Sequence, residues 1–464
     1  MFKLRDSGFA AAAVLLLASL AASGQTFRGA ITGSVTDATG AGIGGASVKA
    51  VSAATGLSRE ISTTATGDFA FQDLPPGTYT LEISRTGFQT VRVEKVEVEV
   101  GRVSTVPVRM SVAQQATEVE VTSAAVALET DSAALNAVIP NQAVQNVPLN
   151  GRDFTQLVML APGVNGAGSL NGGRIDQKNW QIDGADNNDV WHNSVSVNQG
   201  GVSGVAGTLL PIDAIDQFSV QSHGNAETGR NAGSINMVIK SGTNDLHGTL
   251  YYFNRNDALA AQTPFAPTGS ATPKLKNNQF GGSVGGPVIH NKLFYFLTYE
   301  RQKFIIGNQT GGTEPSAAWV SLATNVLNRY NVPVNSATQN VLSFWPARGR
   351  TGPAASPNFF STDNSDNYSD NGIGKIDYIF NDKNSIAFRY FVGTGQQTAP
   401  SGNLSSPSPY HEYYQVAPSR MHNFSLVYNS VITPRMVNQV LAGVNYFKQV
   451  FMISTQGSTP WRPA

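Results

Sequence analysis

The chain has 464 residues, no cysteine, and 31 Lys+Arg against 31 Asp+Glu, so its formal net charge is zero. Disulfide frameworks and thiolate metal sites are excluded, and no charge excess points to nucleic acid or to an anionic surface. Charged residues make up only 13% and Gly reaches 46, a profile shared by Gly-rich extracellular β-proteins and transmembrane barrels, since soluble domains carry ~25% charge.

Lys3 and Arg5 precede an apolar run over residues 9–20, and Ala22-Ser23-Gly24 supplies small residues before Gln25. This predicts a secretory signal over 1–24. The run is shorter than the ~20 apolar residues a bilayer-spanning helix needs, and no longer one follows. Any membrane passage therefore has to use a closed sheet. Residues 27–112 read as a small β-sandwich: Phe69 and Phe71 follow the Thr66-Gly67-Asp68 turn, Pro75-Pro76-Gly77 turns again, and Tyr79, Leu81 and Ile83 alternate with polar residues. The apolar phase slips between Val91/Val93 and Val96/Val98/Val100, which predicts a bulge near Glu94-Lys95. Gly33-Ser34-Val35-Thr36-Asp37, Gly67-Asp68-Phe69 and Leu74-Pro75-Pro76-Gly77-Thr78-Tyr79 resemble carboxypeptidase regulatory-like domains, which implies a transthyretin-like sandwich. No His-x-x-Glu pair or clustered zinc ligands accompany them, so the resemblance carries no expectation of peptidase chemistry.

Residues 113–125 read as a linker holding one short β-prone segment, Glu118-Val119-Glu120-Val121-Thr122. Over 126–244 the elements are mixed. A helical turn is expected over 140–147 and a helix-like run, ended by Pro162-Gly163, over 157–160. A strand with an Asp-Gly turn follows at Asn179-Trp180-Gln181-Ile182-Asp183-Gly184, then a short helix and strand over 211–220. Ile235, Met237 and Ile239 alternate with Ser234, Asn236 and Val238, and Lys240-Ser241-Gly242-Thr243-Asn244 supplies turn residues.

This last stretch, in which Gly229-Arg230-Asn231-Ala232-Gly233 leads to Lys240-Ser241-Gly242-Thr243-Asn244 and then His247-Gly248, resembles the plug-to-barrel junction of TonB-dependent outer-membrane receptors, especially the Oar-like group. The resemblance implies a plug over 126–244 and a barrel from 246 to 464. It also implies outer-membrane localisation with the N-terminal domain in the periplasm, and a TonB-type inner-membrane energy transducer as partner. Glu118, Val119, Glu120, Val121 and Thr122 stand roughly where such receptors carry the strand that the transducer captures by sheet-edge addition; an ordinary first strand of the plug is the other reading.

The barrel reading can be checked without any family. Strands are predicted over 246–253, 279–286, 293–299, 373–380, 385–391, 423–430 and 436–447. In the fourth to sixth, Ile376/Tyr378/Phe380, Ile386/Phe388/Tyr390 and Phe424/Leu426/Tyr428 oppose Lys375/Asp377, Ala387/Arg389 and Asn423/Ser425/Asn429. Apolar residues on one face and polar ones on the other fit lipid outside and a wet lumen inside. Connections alternate long and short, as outer loops and inner turns do in bacterial barrels; a helix is expected over 316–330 in an outer loop. Seven strands are an odd number, and plugged transporters need about 22, so the chain is expected to stop within its barrel.

The fold class expected is thus mainly β: a sandwich, an α+β plug and the first part of an antiparallel barrel. The oxygen-rich run 183–189 lacks EF-hand spacing, Asp363, Asp366 and Asp370 lie in an expected outer loop, and the six His are scattered, so no metal or other cofactor is expected. No nucleophile elbow occurs in a convincing context, and Gly281-Gly282-Ser283-Val284-Gly285-Gly286 lacks a following Lys-Ser/Thr, so no catalytic residue is assigned. Trp180, Trp191 and His192 stand out in the Gly/Asn-rich plug. Either they pack its core or they contact an external ligand, a carbohydrate or other organic compound. The function expected is uptake of such a ligand by a TonB-dependent receptor set in outer-membrane lipid; an adhesion or signalling protein on the same scaffold is the alternative.

Overall fold

The computed structural model describes residues 28–112, 119–121, 136–165, 168–199, 207–221, 233–261, 272–307, 310–312, 316–344, 359–361, 364–400, 414–433 and 436–454. The expected signal segment, Glu118, Thr122 and most of the Gly229–Gly233 run lie outside these residues. In the N-terminal region the alternating residues close two sheets on each other. One holds β1 (Gly29–Thr36), β4 (Asp68–Leu74), β7 (Val103–Thr105) and β8 (Val108–Arg109), with β4 and β7 flanking β1. The other has the order β3-β2-β5-β6-β9, formed by β2 (Ser47–Ser52), β3 (Ser58–Ser62), β5 (Gly77–Ser84), β6 (Val91–Val98) and β9 (Val119–Val121). Ile31, Val48, Phe69, Phe71, Leu81 and Val98 fill the space between them. The expected bulge is present: the β5/β6 register shifts between Tyr79↔Val96 and Leu81↔Val93, and Lys95 takes φ 57°. One extra residue there lets Val91, Val93, Val96 and Val98 all face the core.

The middle region is an α+β unit. Its sheet, ordered β10-β13-β14-β11-β12, comprises β10 (Asn136–Pro140), β11 (Asn179–Ile182), β12 (Ala185–Asp186), β13 (Ile215–Gln221) and β14 (Ser234–Ile239). Helix α1 (Asn141–Asn146) follows β10, and a 3₁₀ segment Phe154–Leu160 starts at Asp153, whose side chain accepts from Thr155 N. Phe154 packs edge-on to Trp180 with ring centroids 6.2 Å apart. The alternation in β14 suggests one buried face, yet all six of its residues are buried. β14 lies inside the sheet, and its polar side chains work within the unit: Ser234 bonds Gln221, and the Asn236 side chain accepts from Gly184 N.

The third region is an antiparallel sheet in sequence order: β15 (His247–Asn256), β16 (Leu275–Ile289), β17 (Leu293–Gly307), β20 (Asn364–Asn381), β21 (Asn384–Pro400), β22 (Tyr414–Thr433) and β23 (Met436–Gln449), with β24 (Met452–Ser454) on β22. Between β17 and β20 lie β18 (Thr310–Gly312), α2 (Ala317–Arg329), α3 (Ser336–Phe344) and β19 (Phe359–Ser361); Ser316 caps α2 by accepting from Trp319 N. Five strands run well past their expected ends toward the long loops, so Asp366 and Asp370 belong to β20 and not to a loop. The added stretch of β20 alternates exposed and buried residues that are nearly all polar, so no apolar alternation marks it as strand. Facing is as expected: Arg389 is 1% exposed while Phe388 and Tyr390, its neighbours, are 40% and 39% exposed, and Leu426 and Ile376 are outward too.

The outward parity predicts that Phe388→Arg, near the middle of the apolar band, destabilises the protein in membranes by ~2–4 kcal/mol, whereas Ala387→Ser changes little. A single cysteine at 388 in membranes reads the facing directly; ready labelling there by a water-soluble maleimide would refute it. For the sandwich, a fragment over 25–112 should melt cooperatively with β-type circular dichroism, and a disordered spectrum would move the domain boundary.

Candidate functional site

The middle unit is bolted to the inner face of the sheet through one tight hairpin. Ile182 pairs with Ala185, so Asp183-Gly184 form a two-residue turn with φ 47° and 77°, as the Asp-Gly signal predicts. The turn thrusts the Asp183 carboxylate at the wall. Its Oδ1 accepts from Ile239 N at 3.0 Å and lies 3.7 Å from Lys375 Nζ, and its Oδ2 lies 3.2 Å from Arg389 Nε, at ion-pair distance without hydrogen-bond alignment. Lys375 donates to Ile239 O at 2.7 Å, and Arg389 donates to Ile182 O at 3.2 Å and to Asn423 Oδ1 at 2.6 Å. Asn423 in turn donates to Asp186 O and Asn445 to Asn188 O. All three charges are buried, so each depends on the others for solvation.

Two further contacts hold the unit along β15–β17. Asp213 accepts from Thr249 at 2.5 Å and Ser283 at 2.6 Å, with Lys240 Nζ at 3.7 Å. Arg152, in a left-handed conformation, places its guanidinium 4.0 Å from the Phe253 ring centre and 5.4 Å from that of Tyr251. Tyr251 donates to Glu300 at 2.6 Å. The apolar core of the unit is continuous with Phe296, Ile373, Phe391 and Met421 of the wall.

At the short-turn end the sandwich docks on the same assembly. Arg59 donates to Asp382 O at 2.9 Å, Arg28 to Ser385 at 3.4 Å, Asn244 N to Ala54 O at 2.8 Å and Val100 N to Gln217 Oε1 at 2.9 Å. Where the sandwich, the middle unit and the wall meet there is a cavity of about 340 Å³, walled by Arg28, Arg59, Asp183, Lys240, Lys375 and Asp377 among others.

The candidate ligand contacts separate. Trp180 is 5% exposed in the core of the unit. Trp191, 86% exposed, and His192, also exposed, stand together with ring centroids 6.5 Å apart. Asp189 presents them: Oδ1 accepts from Trp191 N and His192 N, and Oδ2 accepts from Ser194 N and its hydroxyl. Burial works against the Asp189 carboxylate, but the bonds from Ser194, His192 and Trp191 outweigh it and hold its pKa below the usual range. Of the candidate coupling residues, Val119–Val121 form β9, which adds in parallel to β6 at the sandwich edge through Val91↔Val119, Arg92↔Glu120 and Val93↔Val121. No group of three or more potential metal ligands occurs among the described residues. Lys375 and Arg389 were legible as lumen-facing charges, but nothing local in the sequence marks Asp183 as their partner.

Residues 238–461 match the model of an outer membrane beta barrel domain, and residues 30–111 that of a carboxypeptidase regulatory-like domain. The TonB-dependent transporter Oar of Myxococcus xanthus is 25% identical over 423 residues, 87% of this chain and 36% of Oar. The chain is a homologue of a TonB-dependent outer-membrane transporter. It spans about a third of that relative's length. Among solved structures, the outer membrane transporter YddB of Escherichia coli aligns at 13% identity, covering 68% of this chain and 39% of its own, with a TM-score of 0.43. The ferric-catecholate import receptor Fiu of Escherichia coli aligns at 17% identity over 69% and 50%, with a TM-score of 0.36. The β15–β24 sheet lies within the residues that match the outer-membrane barrel model, and in bacterial barrels short turns are periplasmic and long loops external. Oar and YddB are named as transporters and Fiu as an import receptor.

Removing Arg389 leaves the buried Asp183 carboxylate with only the more distant Lys375 ammonium, 3.7 Å away. Arg389→Met is expected to cost ~3–5 kcal/mol in urea unfolding of the refolded protein. Combined with Asp183→Asn, the loss should be less than the sum of the two single losses. Additive losses would show that the two residues do not act as a pair.

Proposed function

We propose that this chain carries the plug and plug-facing wall of a TonB-dependent receptor that takes up an external organic ligand with energy relayed from the inner membrane, and that it has no catalytic role. The carrying observation is the polar seating of the plug: a hairpin held by Asp183, Lys375 and Arg389 inside the wall. Ion pairs and backbone hydrogen bonds in a lumen can be exchanged for bonds to water, so a plug seated this way can be displaced under load and reseat in register. Trp191 and His192 offer an aromatic, polar-tipped surface suited to a carbohydrate or other organic ligand. In this reading 118–122 is the segment captured by the transducer. Its Val119–Val121 portion already occurs as an added strand, so its backbone is competent for sheet-edge addition.

Two measurements test this in the intact receptor. Growth on, or uptake of, candidate carbohydrates should require the TonB-type transducer; transducer-independent uptake refutes the coupling, and surface binding with no uptake favours the adhesion or signalling alternative. Val121→Pro removes an amide donor and should abolish crosslinking to the transducer while leaving heat-modifiable outer-membrane insertion intact. Unchanged crosslinking would place the coupling segment elsewhere.

A further inference from the structure

The outward face of β21, β22 and β23 is built in rows set by the ladder register. From the periplasmic side they are Asn384/Ser430/Asn438, Ile386/Tyr428/Val440, Phe388/Leu426/Ala442, Tyr390/Phe424/Val444, Val392/His422/Tyr446 and Thr394/Arg420/Lys448. The first row is polar, the next rows are mostly apolar, His422 stacks on Tyr390 and bonds its hydroxyl at 2.6 Å, and the last row is cationic. Residues 384 and 394 of β21 bound this series; at ~3.3 Å per residue and ~40° tilt the separation is about 25 Å along the membrane normal, the height of a barrel's apolar band. Arg420 and Lys448 therefore stand at the outer-leaflet interface.

They also stand directly opposite each other on a face where like charges in register repel. Neither has an ion pair among the described residues. The nearest carboxylate in the same row is Asp370, two strands from Arg420, and it is engaged by Tyr299 at 2.6 Å and by Arg301 at 3.3 Å. Periplasmic to that Arg301–Asp370 pair the wall is hollowed into an apolar trough of about 1060 Å³, bordered by Leu250, Phe280, Leu297, Tyr299, Tyr390 and Val392. Its hollow shape comes from Gly282, Gly372 and Gly374; a Cβ on Gly282 would lie 2.6 Å from Leu250 Cδ2.

We propose that Arg420 and Lys448 hold the phosphate of an acylated outer-leaflet lipid, whose chains descend over Tyr390, Phe424 and Val444 and into the adjacent trough. The phosphate removes the repulsion between the two cations, whose row on β21–β23 holds no carboxylate. Acyl chains, unlike rigid ligands, can follow a shallow apolar hollow, and the aromatic row beneath the cations suits the boundary between headgroup and hydrocarbon. A free phosphate ion would satisfy the cations but make no use of the trough.

The test uses the full chain in phosphatidylcholine nanodiscs doped with phosphatidic acid, which joins a phosphate monoester to acyl chains. Native mass spectrometry should show phosphatidic acid retained over phosphatidylcholine. With about 1 kcal/mol per interfacial cation, Arg420→Gln with Lys448→Gln should weaken retention about thirtyfold and each single change about fivefold. Arg420→Lys should keep most of it. Thermal stability gives a second reading with a different sign: in pure phosphatidylcholine the double variant should melt at or above the parent, because repulsion has been removed, whereas with phosphatidic acid the parent should melt higher. Equal retention by parent and double variant overturns the proposal. Stabilisation by inorganic phosphate equal to that by phosphatidic acid also overturns it, leaving an adventitious anion site only.

Discussion

Arg389 is almost fully buried inside a β-wall, and the seating of the plug follows from the need to neutralise it. A strand in a barrel has faces with opposite requirements, and every polar side chain turned inward must find water or a partner. Here the partner is a plug carboxylate delivered by a two-residue turn, with Asn423 and the Ile182 carbonyl completing the guanidinium's surroundings. The turn fixes β11 and β12, β11 fixes β14 by parallel pairing, and β14 leads through Lys240-Ser241-Gly242-Thr243-Asn244 into the first wall strand. One buried ion cluster thus sets the register between plug and wall.

What the sequence disclosed was whatever leaves a periodic mark. Strand facing in β20–β22 was readable because lipid forces alternation there, and the Glu94-Lys95 bulge was readable because the apolar phase changes parity across it. The Asp183-Gly184 turn carries its own chemistry. The loop-side halves of the wall strands were not readable, since a strand such as 364–372 with polar residues on both faces has no contrast to detect. Trp180 and Trp191 look alike in composition. The first shares the i, i+2 phase of Ile182 in a buried strand, and the second sits on the turn capped by Asp189. Pairing of Asp183 with Lys375 and Arg389 joins residues about two hundred positions apart in sequence, and no local pattern encodes it.

The sandwich occupies a mechanically significant place. It touches the periplasmic turns through Arg59 and Arg28, the plug through Gln217, and β9 through its own edge strand β6. A force applied at β9 would therefore load the sandwich edge. Backbone pairs in parallel register resist sliding along the strand direction together but break in succession when peeled, so the direction of pull would decide how much load passes to the domain behind.

Beyond the sandwich, resistance to plug movement is unevenly divided. The contacts around Asp183, Asp213 and Arg152 are polar and can be taken over by entering water. Those among Phe296, Ile373, Phe391, Met421 and the plug core cannot, since exposing them costs roughly 25 cal/mol per Å². Both kinds meet at β14, whose Ile235, Met237 and Ile239 lie in the core while its last carbonyl binds Lys375. Opening a path therefore requires less if the hairpin and loop segments around 183–199 rearrange and β14 stays in place. Besides Lys375 and Arg389, the wall residues Asn423 and Asn445 meet this hairpin and bind plug carbonyls at Asp186 and Asn188 through neutral amides. A neutral amide exchanges a carbonyl for water at little net cost, so these contacts yield more readily than the apolar ones that Phe296, Ile373, Phe391 and Met421 make with the plug core.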